Sequence, residues 1–486
     1  MNRRPNILLI VVDSLRADHC SCYGYGANTT PVIDQIAREG ILFKSAISAA
    51  GWTLPSHASM FTGLYPTEHG ADAAGCTLDK QIPTLASILN NAGYATAAFS
   101  DNPIALAHGL DRGFSTVVDS WHESHGNLRE TAKKFFGPRL VGKAKELRRV
   151  LYSKRVAGAK VHGSPRTINS IVTWVRSFMG DRGSFPFFLF ANFTDVHMPY
   201  FPPMRLARPI LASAAVGQGV YSLKQINISS LVDVLGLEES DLQLLRDLYD
   251  GEISYVDGQL GGFFSQLDQL GALNNSLVII TADHGDHLGD HGMVGHGISL
   301  YDSLLKVPLV VSYPGHVQAG KVHEKQVQTL DIFSTVLDAA GVSRNDQPFD
   351  NHMSLLRQAD SSAVSGPREL AFAESCGDSR YMRVIRRRYP GIDESRINVQ
   401  RRCARTDRYK YMLSDGLREE FYDLATDPGE ANNLAALGIP AMGELRSALA
   451  RWHSSLTPTS LPDADTCTEN VPEEVTSRLK ALGYIS

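Results

Sequence analysis

NILLIVVD, residues 6–13, is an unbroken apolar run that stops at a carboxylate. A strand that is apolar at successive positions buries both of its faces, as strands of a parallel sheet do when helices cover the two sides. FPFFLFANF (residues 185–193) runs into Asp195 in the same way, and SLVIITA (residues 276–282) runs into Asp283. Between such runs lie helical patterns. Thr30-Pro31 opens one with apolar Val32, Ile33, Ile36 and Ala37, closed by Gly40. Others span Ile82–Ala92, Pro165–Met179, Leu242–Leu270 and Thr329–Ala340, and further strands are expected at Ile41–Ile47, Tyr94–Phe99 and Val307–Ser312. Strands alternating with helices predict an α/β domain around a central, mostly parallel sheet flanked by helices. Ligands of such sheets collect beyond the carboxyl ends of the strands, where Asp13, Asp195 and Asp283 lie.

After Pro367 the pattern changes. Short strands at Arg368–Glu374, Arg408–Leu413 and Glu419–Tyr422 precede the turn-rich ATDPGEANNLA and a helix from Met442. This predicts a catalytic α/β domain over residues 1–366 and a small C-terminal α+β subdomain over 367–486. A basic helical insertion is expected at about 120–166, since twelve Lys and Arg between Asn127 and Arg166 face only Glu130 and Glu146. That segment is either a solvated face or a surface for a polyanion or an anionic membrane. A formal net charge of −5 argues against nucleic-acid binding by the chain as a whole, and few aromatics interleave the basic segment. Six scattered cysteines do not make a disulfide framework. The apolar run after Met1–Arg4 is short and ends at Asp13, which is not the pattern of a signal peptide, and no run has the length of a membrane span, so a cytoplasmic location is expected.

Two segments carry the chemistry. In GWTLPSHASMFTGLYPTEHG (residues 51–70) the hydroxyl of Thr53 precedes Pro55, which suits a first helical turn, and Thr62-Gly63 ends the helix. A helix N-terminus favours an anionic phosphoryl or sulfuryl group. TADHGDHLGDHGMVGH (residues 281–296) places Asp283 and His284 directly after a buried strand. Carboxylates suit hard divalent cations and imidazole suits zinc or manganese, so the acids and histidines of this segment, with Asp13 as a further carboxylate, make a candidate site for any of several metals. Of the loop that follows, His287, Asp290 and His291 are expected to support the metal ligands from behind or to structure the loop. Asp195-Val-His197 repeats the acidic theme, with His197 a candidate for acid–base work.

The motifs PNILLIVVDSLRAD, TPVIDQIAREGILFKSAIS, TLPSHASMFTGLYPTEHG, TDVHMPY, IITADHGDHLGDHGMVGH, RTDRYKYM, FYDLATDPGEANNLA and LKALGY follow one another over nearly the whole chain. In this order they resemble the sulfatase branch of the alkaline phosphatase superfamily. The resemblance implies that family's α/β fold with a small C-terminal sheet. It also implies one divalent metal held by Asp13, Thr53, Asp283 and His284, with manganese, zinc, calcium and magnesium all compatible. Thr53 falls at the nucleophile position, and His197 and His296 at positions that contact the anionic group or the leaving oxygen. A single metal is expected because Asp195 and His197 are too tightly spaced for the second-metal motif of two-zinc relatives.

The departures from the family pattern bear on the reaction. Sulfatases carry a cysteine or serine that is oxidised to formylglycine, whereas this chain has Thr53. The second acid of the usual Asp-Asp pair is Ser14. His57 stands for the signature arginine and His296 for a lysine, so two fixed cations have become titratable histidines; His57 and Ser14 are candidate substrate-binding residues. Threonine nucleophiles in the superfamily act on phosphoryl groups. The expected activity is therefore metal-dependent hydrolysis of a phosphodiester or phosphonate-type ester by Thr53, on a small-molecule, glycan or lipid anionic ester. The alternatives are a sulfuric ester hydrolase without formylglycine, a phosphoryl-headgroup transferase, and a non-catalytic binding relative.

Overall fold

A computed structural model of the chain describes residues 4–71, 77–102, 104–120, 162–182, 185–203, 205–206, 230–231, 236–297, 299–342, 353–359, 368–375, 399–415 and 418–459. Most of the basic segment, the 366/367 boundary and the terminal LKALGY motif lie outside the described residues.

The strands of the larger body are β1 (Asn6–Val12), β2 (Ile41–Ile47), β3 (Ala95–Ser100), β4 (Thr116–Asp119), β5 (Phe187–Phe193), β6 (Ser230–Leu231), β7 (Ser276–Thr281), β8 (His287–Leu288), β9 (Met293–Gly295), β10 (Lys306–Val307), β11 (Leu309–Ser312) and β12 (Lys321–Gln328). Nine of them form one sheet in the order β10-β2-β11-β7-β1-β5-β3-β4, with β12 also paired to β2. β1 is parallel to both β5 and β7, and β3 is parallel to β5 and β4. Only β10 and β11 run antiparallel to their neighbours in this sheet. β1, β5 and β7 form its centre, and their side chains are buried apart from the half-buried Asn6. Each fully buried Ile, Leu, Val or Phe there contributes roughly 1.5–3 kcal/mol through area removed from water.

Helices flank the sheet: α1 (Pro31–Glu39), α2 (Thr53–Thr62), α3 (Pro66–His69), α4 (Leu85–Asn91), α5 (Ser164–Arg182), α6 (Glu239–Gln269), α7 (Asp302–Leu305), α8 (Asp331–Ala340) and α9 (Leu355–Gln358). The helices anticipated at 165–179, 242–270 and 329–340 are all present within a few residues. α1 begins at Pro31 as expected, and both carboxylate oxygens of Asp257 in α6 accept from its first amides, Val32 N at 2.9 Å and Ile33 N at 3.0 Å. A carboxylate at a helix N-terminus is favoured by the exposed N–H groups and the dipole.

The C-terminal part is a four-stranded antiparallel sheet, β13 (Ala371–Ser375), β14 (Arg401–Arg405), β15 (Tyr409–Ser414) and β16 (Arg418–Asp423), packed against α10 (Pro440–Ser455). β14 was not anticipated, because RRCAR reads as a charged loop. Yet Cys403, Ala404 and Arg405 are buried, and Arg405 forms an ion pair with Asp302.

Candidate active site

β1 and β7 are parallel neighbours in a register that pairs Val11 with Thr281, so Asp13 and Asp283 leave the sheet side by side. β2 ends at Ile47, and the chain then turns into α2, whose first residue is Thr53. Gly63 ends α2 with φ 72° and donates its N–H to Ser59 O, the left-handed stop expected of Thr62-Gly63. Asp13, Thr53, His57, Asp283 and His284 are all fully buried. One ligand atom from each of Asp13, Asp283 and His284 lies within 4.8 Å of the other two.

The orientation of each group follows from its partners. His284 donates from Nδ1 to Gly285 O at 2.8 Å, which puts the lone pair of the neutral ring on Nε2. That Nε2 lies 3.3 Å from Thr53 Oγ1, 3.4 Å from Asp283 Oδ2 and 3.9 Å from Asp13 Oδ1. Ser14, at φ 62°, donates its N–H to Asp283 Oδ1 at 3.2 Å and its hydroxyl to Asp13 Oδ1 at 3.0 Å. The residue in place of the second acid thus orients both carboxylates. His57 donates from Nδ1 to Thr53 O at 2.8 Å and accepts at Nε2 from Asn192 Nδ2 at 3.4 Å, with its ring edge-on to Phe190. It wedges the first turn of α2 against β5.

Electrostatics separate the two carboxylates. Burial opposes ionisation of Asp13, but His197, His284, His57 and the amide of Asn102 outweigh it and hold its pKa below the usual carboxylate range. Burial and the neighbouring Asp13 push Asp283 up to about 8. Asp283 Oδ2 is buried without a hydrogen-bond partner. His57 Nδ1 is 3.6 Å from it, but its proton goes to Thr53 O, and His284 Nε2 presents a lone pair. An unpaired buried carboxylate oxygen is costly unless a cation meets it. Asp13, Asp283 and His284 therefore fit a divalent metal in charge, donor type and proximity.

His296 and His197 line one side of this centre. The His296 ring is 4.3 Å from the His284 ring and 4.9 Å from that of His197. His296 Nδ1 donates to Asp286 Oδ1 at 2.7 Å, and Tyr200 donates to Asp286 Oδ2 at 2.5 Å. Burial, then His284 and His197, push the His296 pKa well down, and burial pushes Asp286 up to about 6. His197 Nδ1 donates to Met198 O at 2.6 Å. Asp195 is buried at the end of β5 outside the Asp13–Asp283–His284 group, and it helps raise the pKa of Asp101. In the loop after His284, Asp290 pairs with Arg16 at 2.6 Å, His287 hydrogen-bonds Ser299 at 2.7 Å and Ser303 at 3.0 Å, and His291 stacks on Tyr301. These three hold the loop, as expected.

Sequence reasoning missed Asn102, which donates from Nδ2 to Asp13 Oδ2 at 2.6 Å, and Arg16, which ties Asp18, Asp290 and the Asp286 carbonyl together. The position of Asn102 just past the end of β3 was the available signal, because Asp13, Asp195 and Asp283 likewise lie just past strands of this sheet. Among the described residues, no helix is long and apolar enough to cross a membrane. Cys20, Cys22 and Cys403 are free thiols.

Residues 5–342 match the sequence profile of the Sulfatase family. The chain is 26% identical to an arylsulfatase of Clostridium perfringens, over 89% of this chain and 90% of that protein. It is 25% identical to the multifunctional alkaline phosphatase superfamily protein PehA of Trinickia caryophylli, over 91% and 93%. Among solved structures it superposes on the phosphonate monoester hydrolase of Agrobacterium radiobacter with a TM-score of 0.69 and 25% identity, covering 93% of this chain and 95% of that one. The chain belongs to the sulfatase family, within the alkaline phosphatase superfamily, and is an ester hydrolase.

Proposed function

We propose that the chain hydrolyses a phosphodiester or phosphonate-type ester, with Thr53 as nucleophile and one divalent metal held by Asp13, Asp283, His284 and the Thr53 hydroxyl. The observation that carries this reading is the position of Thr53 Oγ1. It opens α2, is fully buried, and lies 3.3 Å from His284 Nε2 beside the two carboxylates. A divalent cation bound there supplies Lewis acidity to the hydroxyl and to the ester oxygens.

The protein's own groups account for the rest. The N-terminal end of α2 faces the anionic group with positive dipole character. Thr53 releases its hydroxyl proton to water as Oγ1 bonds to phosphorus and the bond to the leaving oxygen breaks, the leaving oxygen taking a proton from water; a second water later cleaves the phosphothreonine and restores the hydroxyl. His197 and His296, which line one side of the centre, are assigned to contact with the anionic group or the leaving oxygen, with Asp286 fixing the His296 ring. His57 and Ser14 hold Thr53 and the carboxylates in place. A threonine ester carries no second hydroxyl on the same carbon through which sulfate could be expelled, and this favours phosphorus over sulfur. The solved structure named as a phosphonate monoester hydrolase supports the same choice. The Clostridium arylsulfatase supports sulfuric ester hydrolysis as the second reading.

The test compares bis-p-nitrophenyl phosphate, a p-nitrophenyl phenylphosphonate and p-nitrophenyl sulfate with Mn²⁺, Zn²⁺, Ca²⁺ or Mg²⁺. The expected result is fastest turnover of the diester or phosphonate, reduced at least about 10³-fold in Thr53→Ala. Dominant sulfate hydrolysis would favour the second reading.

A further inference from the structure

We infer that Lys410, in the C-terminal sheet, is a positioning residue for the catalytic centre; this rests on the reading of the site given above. Lys410 is fully buried on β15, and its Nζ lies 2.8 Å from Asp302 Oδ1 and 2.7 Å from Glu430 Oε1. Arg405 on β14 grips Asp302 Oδ2 at 2.9 Å from Nη2, and Glu430 Oε2 accepts from Asp302 N at 2.6 Å. Two cations, Lys410 and Arg405, and one acid, Glu430, thus close around Asp302, the first residue of α7.

The segment they hold, Ser299–Leu305, touches both halves of the active centre. On one side, Leu304 O accepts from Gly285 N at 2.8 Å, directly after the ligand His284. Ser299 and Ser303 hydrogen-bond the two ring nitrogens of His287. The packing is close: a Cβ on Gly285 would lie 2.2 Å from Ser303 O. On the other side, Leu305 O accepts from Ser48 N at 2.8 Å, and a Cβ on Gly51 would lie 2.9 Å from Ser299 O. Ser48–Trp52 is the turn that delivers Thr53. One short segment therefore spaces the nucleophile from the metal-ligand loop, and Asp302 is the charged residue by which the C-terminal sheet holds it.

A buried ion cluster adds little stability over apolar packing of the same volume, but it fixes one arrangement of the groups it joins. Here that arrangement is the register between two sheets. Coupling of this kind is reciprocal: whatever orders the site orders the clamp.

The experiment uses the full chain and Mn²⁺ alone. Hydrogen–deuterium exchange with and without saturating Mn²⁺ is expected to slow at least about threefold at residues 283–285, at 299–305 and in the clamp strand 409–414. Protection at 283–285 with none at 299–305 or 409–414 overturns the inference. In Lys410→Met, Mn²⁺ affinity by competition with a chromophoric chelator is expected to fall about tenfold, with kcat lowered and KM within about twofold. Lys410→Met/Glu430→Gln removes the stranded acid as well and is expected to recover thermal stability while keeping the weakened metal affinity. Unchanged Mn²⁺ affinity in either folded variant overturns the inference. A wild-type protein that binds Mn²⁺ but cleaves no phosphoryl ester would defeat the proposed reaction and leave this inference standing.

Discussion

Asn102 donates from Nδ2 to Asp13 Oδ2 at 2.6 Å while its Oδ1 accepts from Ile104 N at 2.8 Å. The second bond fixes which end of the amide faces the carboxylate. Ser14 Oγ meanwhile occupies Asp13 Oδ1, the oxygen nearer His284 Nε2. Asp13 is thus oriented from both sides before any ligand arrives. Groups that orient a metal ligand are typically worth 10–100-fold in metal affinity. Asn102→Ala is expected to weaken Mn²⁺ binding by roughly that factor. Asn102→Asp loses the same donor but sets a second carboxylate against Asp13, a repulsion that a cation relieves, so its Mn²⁺ affinity should fall less than that of Asn102→Ala. Chelator competition on the two purified variants measures both effects, and wild-type affinity in Asn102→Ala would refute the orienting role.

Metal removal should show in stability as well as in rate. Without a cation, Asp13 and Asp283 are neighbouring buried acids, and Asp283 Oδ2 has no hydrogen-bond donor. Metal binding stabilises the folded chain by about 2.7 kcal/mol at a hundredfold excess over Kd. The melting temperature is therefore expected to rise by about 2–3 °C on adding Mn²⁺ to chelator-treated protein. Asp283→Asn removes a carboxyl group that burial and Asp13 keep protonated until a cation meets it. Its metal-free form should melt no lower than the wild type, while the Mn²⁺-dependent rise disappears. Differential scanning calorimetry with and without EDTA distinguishes these outcomes.

Acid should destabilise the fold through a histidine remote from the reacting groups. His69 accepts at Nδ1 from Ala71 N at 3.1 Å, so its proton sits on Nε2, facing Ser59 Oγ at 3.1 Å. Burial pushes its pKa down from 6.5 to about 3. Between those values the unfolded chain binds a proton that the folded chain refuses, so unfolding free energy falls as pH falls. The loss begins below about pH 6.5 and approaches a slope of about 1.4 kcal/mol per pH unit for this group. His287, buried and also pushed down to about 3, adds a second contribution of the same sign. His69→Asn is expected to be less stable at pH 7 but to lose less stability between pH 6 and pH 4. Urea titrations across that range measure the two slopes, and equal slopes would remove His69 from the account.

The legible parts of this chain are those where one residue's chemistry decides its own fate. β1, β5 and β7 announce themselves because a parallel strand buried on both faces must be apolar throughout. Asp13, Asp283 and His284 stand out because acids and imidazole break those apolar runs at their carboxyl ends. What escapes notice depends on partners far away in sequence. Lys321–Gln328 reads as a polar loop, yet it is β12, and its buried Gln326 and Gln328 donate to Glu369 O and Phe372 O beside and within β13. Lys410 sits in the motif RTDRYKYM as one basic residue among several, and only the fold places it between Asp302 and Glu430. Ser14 reads as a lost metal ligand, and its hydrogen bonds to both carboxylates become visible only in three dimensions.

Ser14 also sets the last expectation, which concerns metal choice. Calcium takes six to eight oxygen ligands, whereas zinc is satisfied by three protein groups that include imidazole. Two carboxylates, one imidazole nitrogen and a hydroxyl make a small donor set, and Ser14 contributes its hydrogen bonds to that set without adding charge. Aspartate tolerates the left-handed conformation, here φ 62°, nearly as well as any residue other than glycine. Ser14→Asp therefore adds a third carboxylate beside Asp13 and Asp283 without demanding a new backbone. The metal-free variant should melt lower than the wild type, because three buried acids repel one another. Its Ca²⁺ affinity should rise about tenfold or more, with Zn²⁺ affinity changing less. Competition titrations with both ions, set beside the melting temperature of the metal-free protein, decide the matter. A lower melting temperature with no gain in Ca²⁺ affinity would mean that the side chain at 14 points away from the ion, and that Ser14 acts only by holding Asp13 and Asp283.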